Sequence, residues 1–304
     1  MLRNVMLRAA THASMVRLFA GLGRKSGLSQ RFVAGETLAQ ALRVVDRLNR
    51  SGIFASLDLL GEGVTAPKEA TEATDSYIRL LEAIHGEQAG SNISIKLTQL
   101  GLGISRQICS ENLERILDHA RRLDNFVRID MEGSKYTEAT VEIFRQQHAR
   151  FRNHVGIVLQ SYLYRSEEDV HQLSQLGCNI RLCKGAYMEP PEVAFPKKSD
   201  VDKNYVKLLD VLLHSNAFTA IATHDKKIIQ HARDSISRSK IEPDRYEFQM
   251  LYGVQRAEQQ RLRDLEYKVR VYVPFGTQWA PYLMRRLAER PANLLFVTRA
   301  VLGK

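Results

Sequence analysis

Three charged residues sit where apolar neighbours leave little room for them. Lys96 lies within "ISIKL", Asp130 stands beside Arg128 in "FVRIDM", and Arg181 falls between Ile180 and Leu182 in "NIRLCK". A charge inside a buried β-type run is costly unless it is paired. One such residue would read as a structural ion pair. Three at matching positions, of both signs, point to a polar cavity. Near the C-terminus, "PYLMRRLAER" (281–290) adds to it. As a helix, it puts Tyr282, Arg285, Arg286 and Glu289 on one stripe, and Leu283, Met284, Leu287 and Ala288 on another. Glu289 is one turn from Arg285 and can orient it. Guanidinium groups bind carboxylate or phosphate in bidentate fashion. The chemistry implied is a pocket for a small anion, with acids that set the cations in place.

The elements that must position these residues repeat one theme. Eight apolar runs begin at 54: "FASLDLL" (54–60), "ISIKL" (93–97), "FVRIDM" (126–131), "VGIVLQ" (155–160), "NIRLCK" (179–184), "TAIATH" (219–224), "EFQML" (247–251) and "VRVYV" (269–273). Helical patterns separate them, such as 110–123 with Ser110 at the cap position, and 205–216. Strand–helix alternation implies parallel strands and right-handed crossovers. Eight units predict an α/β fold, a (β/α)8 TIM-like barrel with N-terminal helices and a final helix over the barrel mouth. A doubly wound open sheet is the alternative, but no glycine-rich fingerprint follows the first strand. "RFVAGE" (31–36) is a candidate ninth strand, read here as a lead-in segment. Barrel chemistry sits at the C-terminal strand ends. There the sequence places Asp58, Glu62, Lys96, Asp130, Glu132, Gln160, Tyr162, Arg181, Lys184, Thr223, His224, Asp225, Gln249, Tyr252 and Tyr272.

Composition narrows the function classes. No apolar run is long enough to span a membrane. Three cysteines without metal-ligand spacing argue for a reducing compartment and against a disulfide framework or a metal site. The net charge of +10 raises nucleic acid and anionic membranes as partners. An RNA-binding protein would want basic residues clustered with exposed aromatics, yet there is one Trp and the charge gathers at the N-terminus. Residues 1–35 hold Arg3, Arg8, Arg17, Arg24, Lys25 and Arg31 and no acid. They read as basic helices packed on the main domain, a surface-attached segment, or a transit peptide. The division expected is 1–30 as a basic helical segment and 31–304 as the catalytic domain.

The motifs "FVAGETL" (32–38), "SLDLLGE" (56–62), "ISIKLTQLGL" (93–102), "VRIDMEGSKYT" (127–137), "IVLQSYLYR" (157–165), "IRLCKGAYMEPPEVAFP" (180–196), "IATHD" (221–225), "YEFQMLYGV" (246–254), "VRVYVPFG" (269–276) and "PYLMRRLAERPAN" (281–293) follow one another in an order that resembles the monofunctional bacterial proline dehydrogenases. The resemblance covers nearly all the chain after residue 30. Cys183 and Phe275 stand where Val and Tyr are expected, and Ala280 where an aromatic residue is frequent. The resemblance implies noncovalent FAD above the strand ends, hydride transfer from proline C5 to flavin N5, and 1-pyrroline-5-carboxylate as product. It implies Asp130 and Arg181 as catalytic residues and Lys96, Tyr272, Tyr282, Arg285, Arg286 and Glu289 as the substrate pocket. The FAD contacts it implies are Met131, Gln160, Arg181, Lys184, Gly185, Ala186, Thr223 and His224. Electrons are expected to pass to a membrane quinone, from a cytoplasmic protein peripheral to the inner membrane surface. Pyrroline-5-carboxylate dehydrogenase is the expected downstream partner, with no nucleic acid and no metal. The alternative within flavin barrels is a folate-reductase-like enzyme, which needs a long-ligand pocket and a nicotinamide donor.

Overall fold

Each of the eight apolar runs forms a strand, with ends within two residues of those expected. They are β1 (Phe54–Leu59), β2 (Ser91–Lys96), β3 (Val127–Asp130), β4 (Val155–Gln160), β5 (Asn179–Cys183), β6 (Phe218–Ala222), β7 (Tyr246–Leu251) and β8 (Val269–Phe275). The computed structural model describes the backbone of residues 28–61 and 63–289, and the side chains of 30–61 and 63–284. The strands are parallel and close in sequence order, with β1 paired to β8 from Phe54 opposite Arg270 to Leu59 opposite Phe275. Helices α1 (Leu28–Phe32) and α2 (Leu38–Arg50) precede β1. Then α3 (Pro67–Gly86), α4 (Arg106–Arg122), α5 (Thr137–Phe151), α6 (Ser166–Ser174), α7 (Lys198–Leu213), α8 (Lys226–Ser239) and α9 (Arg256–Asp264) link successive strands, and α10 (Trp279–Glu289) follows β8.

Local chemistry sets the helix ends. Thr37 and Gln40 form a reciprocal capping box at α2. In α4 the cap is Ser105, whose side chain accepts from Ile108 N–H. The cap expected at Ser110 is corrected: the helix begins a turn earlier, at Arg106, and that turn packs Cys109 on the core. α4 buries Leu113, Ile116, Leu117 and Ala120 against the barrel.

The strands are not uniformly apolar, and their two faces divide the work. One set, including Leu57, Ile93, Ile95, Ile129, Ile157, Ile180, Ile221, Phe248 and Val271, is fully or almost fully buried. The alternate set, including Ser56, Asp58, Ser94, Lys96, Arg128, Asp130, Arg181, Glu247, Arg270 and Tyr272, meets across the barrel axis, as contacts between non-adjacent strands require. Barrels of this type usually fill the interior with branched aliphatics. Here polar pairs run down the barrel well below its mouth. Glu247 joins Arg270 at 2.9 Å, and Arg270 also donates to Ala55 O at 2.7 Å. Arg128 reaches over β4 to donate to Asn179 O at 2.7 Å and Ile157 O at 3.1 Å. Gly156 makes that crossing possible, since a Cβ there would lie 2.5 Å from Arg128 Nη1 and 2.6 Å from Asn179 O.

The lead-in segment is not a ninth strand, but it borrows strand bonding. Ala34 N–H donates to Pro274 O and Gly276 N–H to Gly35 O, each at 2.9 Å. Phe32 and Val33 pack with Leu60, Trp279, Ala280, Tyr282 and Leu283. Trp279 Nε1 donates to Glu36 at 3.0 Å. α10 is thereby anchored at the C-terminal rim, between the ends of β1 and β8. The division expected at 30/31 falls within α1. The basic helices expected before residue 28 lie outside the described residues.

Candidate active site

At the C-terminal end of the barrel, one carboxylate gathers three partners. Asp130 Oδ1 accepts from Arg181 Nη1 at 2.8 Å, and its Oδ2 accepts from the Tyr272 hydroxyl at 2.8 Å, with Lys96 Nζ 3.8 Å away. Lys96 lies closer to Asp58, at 2.6 Å. Arg181 Nη2 donates to Ser94 Oγ at 3.1 Å, and its guanidinium lies 5.4 Å from the Tyr272 ring centre. Two acids and two bases balance, so the cluster carries no net formal charge. Burial works against the Lys96 ammonium, but the Asp58 carboxylate, then Tyr272 and Asp130, outweigh it and hold it well above the usual lysine range. Burial, reinforced by the Asp130 charge, pushes the Tyr272 phenol well up, so it remains a donor. Lys96, expected to serve an anion directly, is thus already held by two carboxylates.

Around the rim, the remaining expected residues occupy the ends of β3 to β6. Gln160 Nε2 donates to Met131 O at 3.1 Å, which ties β4 to β3. Lys184 sits between Asp202 (2.5 Å) and Asp225 (2.8 Å). Asp225 also caps α8 through Lys227 N–H. Thr223 Oγ1 accepts from Asp225 N–H at 3.1 Å. His224 Nε2 accepts from Leu251 N–H at 3.0 Å, which places the ring proton of the neutral form on Nδ1. Gly185 has φ +104°, and a Cβ there would lie 2.2 Å from the Tyr162 ring. The glycine is required by this contact within the protein. Ala186 follows, half-buried, in the loop after β5. Tyr282 is buried at the start of α10. α10 includes Arg285, Arg286 and Glu289, whose side chains lie outside the described residues, as does Glu62.

The proline dehydrogenase family profile matches residues 41–299, a span that contains the whole cluster and all eight strands. The chain belongs to the proline dehydrogenase family. It is 43% identical over 279 residues to the proline dehydrogenase of Deinococcus radiodurans, covering 90% of each chain. It is 41% identical over 304 residues to proline dehydrogenase 1 of Bacillus subtilis subsp. natto, covering 100% of each. Among solved structures, it superposes on proline utilization A (PutA) from Bdellovibrio bacteriovorus inactivated by N-propargylglycine with a TM-score of 0.83 and 26% identity. That match covers 88% of this chain and 33% of the longer one. The enzyme is an oxidoreductase that oxidises proline in proline catabolism, in a family that is in general flavin-dependent.

Several residues of the enzyme's site have no role that residue type and spacing alone assign. Asp58 and Glu132 were visible as strand-end acids only. Asp58 is fully buried against Lys96. Glu132 accepts from Thr98 N–H at 3.0 Å and from the Thr98 hydroxyl at 2.5 Å, joining the loops after β2 and β3. Ser94 was not singled out, although it lies two residues before Lys96 and so on the same face. That period of two was the available signal.

Proposed function

We propose that the enzyme oxidises L-proline to 1-pyrroline-5-carboxylate with noncovalently bound FAD, and that electrons leave to a quinone in the membrane. The observation that carries this reading is the Asp130-centred cluster beneath a rim with unused hydrogen-bonding capacity. Gln160 Oε1 and Arg181 Nε are buried without a hydrogen-bond partner. One is an acceptor and the other a donor. The edge of a flavin ring offers both complementary types, so the residues fit the group. Met131, Gln160, Arg181, Lys184, Gly185, Ala186, Thr223 and His224 would hold it, with Lys184 suited to its phosphates. When bound, FAD supplies the hydride acceptor.

The protein's own groups do the rest. Arg285 and Arg286 on α10 bind the substrate carboxylate, with Lys96 below as a third cation and Glu289 orienting Arg285. Tyr272 and Tyr282 form the wall against the substrate ring. Asp130 fixes Arg181 and Tyr272, and Arg181 puts positive charge where negative charge develops. The product goes to pyrroline-5-carboxylate dehydrogenase. The basic N-terminal segment brings the enzyme to the cytoplasmic membrane surface, where the quinone is. Among the described residues, no helix is long and apolar enough to cross a membrane.

The test is the absorption spectrum of the purified protein. It should show an oxidised flavin that bleaches when proline is added anaerobically with no nicotinamide present. A colourless protein that FAD cannot reconstitute would sink the reading.

A further inference from the structure

The loop from β5 to α7 (184–197) lies along the rim beside the expected cofactor residues. Main-chain bonds pin its base. Tyr162 N–H donates to Lys184 O at 3.0 Å, Phe195 N–H to Tyr162 O at 2.8 Å, and Tyr164 N–H to Val193 O at 3.1 Å. Its tip is fastened differently. Glu189 Oε1 accepts from Ser134 N–H at 2.7 Å and lies 3.5 Å from the Tyr162 hydroxyl, while Oε2 takes the Ser134 hydroxyl. Ser134 opens the short 3-10 turn Ser134–Tyr136, four residues past Asp130. The Tyr162 ring in turn fills the space beside Gly185. Burial does not hold the tip, since Met188 beside Glu189 is 48% exposed.

We propose that Glu189 is a positioning residue for proline oxidation: its carboxylate latches the β5–α7 loop to the β3–α5 loop and thereby fixes the strand-end turns that carry Met131, Gln160 and Lys184 to Ala186. The chemistry favours a carboxylate. Three donors converge on it, and an ionised carboxylate offers acceptors alone. A glutamine would turn its NH2 toward one of the Ser134 donors. The hydroxyl of Ser134 can rotate to accommodate this, but its N–H cannot.

The experiment compares Glu189→Ala, Glu189→Gln, Ser134→Ala and the double variant Glu189→Ala/Ser134→Ala in the full-length enzyme. Amide hydrogen exchange is followed in peptides covering 131–136 and 184–197, and kcat and KM for proline are measured with a soluble dye acceptor. Glu189→Ala should speed exchange in both loops by about tenfold or more while β3 and β5 keep their protection. Because the turns that Glu189 fixes are the ones assigned to the cofactor, kcat should fall by about tenfold with KM for proline within about twofold. Glu189→Gln should fall between Ala and wild type. The double variant should be no worse than Glu189→Ala, because the hydroxyl contact that Ser134→Ala removes is already lost in Glu189→Ala. The proposal is overturned if exchange in 131–136 is unchanged in Glu189→Ala, if kcat does not move, or if the two losses multiply. Should Glu189→Ala fail to fold, Ser134→Ala carries the same test, since it removes the hydroxyl partner and leaves the 184–197 loop intact. It should loosen 184–197, and normal exchange there overturns the latch.

Discussion

Asp130 serves three partners with two oxygens, so its loss should cost more than the loss of any single one. Asp130→Asn keeps the shape but strips the charge opposite Arg181 and Lys96. Breaking a buried charge pair costs roughly 3–5 kcal/mol, so kcat/KM for proline should fall by about two orders of magnitude or more. Tyr272→Phe removes one hydroxyl, worth about 1 kcal/mol, and should cost about five- to tenfold. Steady-state kinetics on both variants decides the matter: equal losses would mean that Asp130 acts only through Tyr272. A second expectation concerns pH. Because Lys96 is held well above the usual lysine range, its positive charge survives as pH rises. KM for proline should carry no lysine ionisation between about pH 7 and about pH 10. Asp58→Asn deletes the main interaction opposing burial, so the Lys96 value must fall. KM should then begin to climb at a lower pH than in the wild type, and superimposable profiles would refute the assignment. The sequence showed Lys96 as a cation in an apolar run. It did not show that Asp58 and Asp130, 38 and 34 residues away, already hold it. That pairing is set by strand register, which residue spacing alone does not encode.

The eight strands and the helices between them were legible because each run is bounded by polar, helix-forming sequence. The interior of the barrel was less so. Alternating residues such as Arg128 and Asp130 looked like isolated charges, and only closure of the sheet shows that they share one face. Closure also explains a glycine with no obvious local role. Gly156 gives Arg128 its passage across β4, and its missing Cβ would meet an arginine nitrogen, a backbone carbonyl and the Phe126 ring. Gly156→Ala therefore overpacks a site with a rigid wall. Such changes typically cost about 1–3 kcal/mol, which should lower Tm by roughly 2–10 °C. Calorimetry measures this directly. An unchanged Tm would mean that Arg128 withdraws freely and that its bonds to Asn179 contribute little. Ser105 teaches a related lesson: the cap expected at Ser110 lies a turn earlier, at Ser105, in a helix that also buries Cys109.

At the scale of the molecule, the charge of +10 is uneven, and residues 1–35 carry six Arg or Lys and no acid. Each cation near an anionic leaflet contributes about 1 kcal/mol, screened beyond about 8 Å at physiological salt. The protein should cosediment with anionic vesicles at low salt and come off at high salt. Removing residues 1–27 should lower turnover with vesicle-embedded quinone and spare turnover with a soluble dye. Equal loss with both acceptors would make the segment structural. The seam between β1 and β8, together with the packing of α1 on α10, has a different consequence, one of timing. A ribosome delivers β1 early and β8 late. Until residue 275 has been made, the nascent sheet keeps two open edges that can pair with other chains. Truncated products that stop before β8 would then be sticky as well as inactive, and the cell must shelter this chain at least until β8 has been translated.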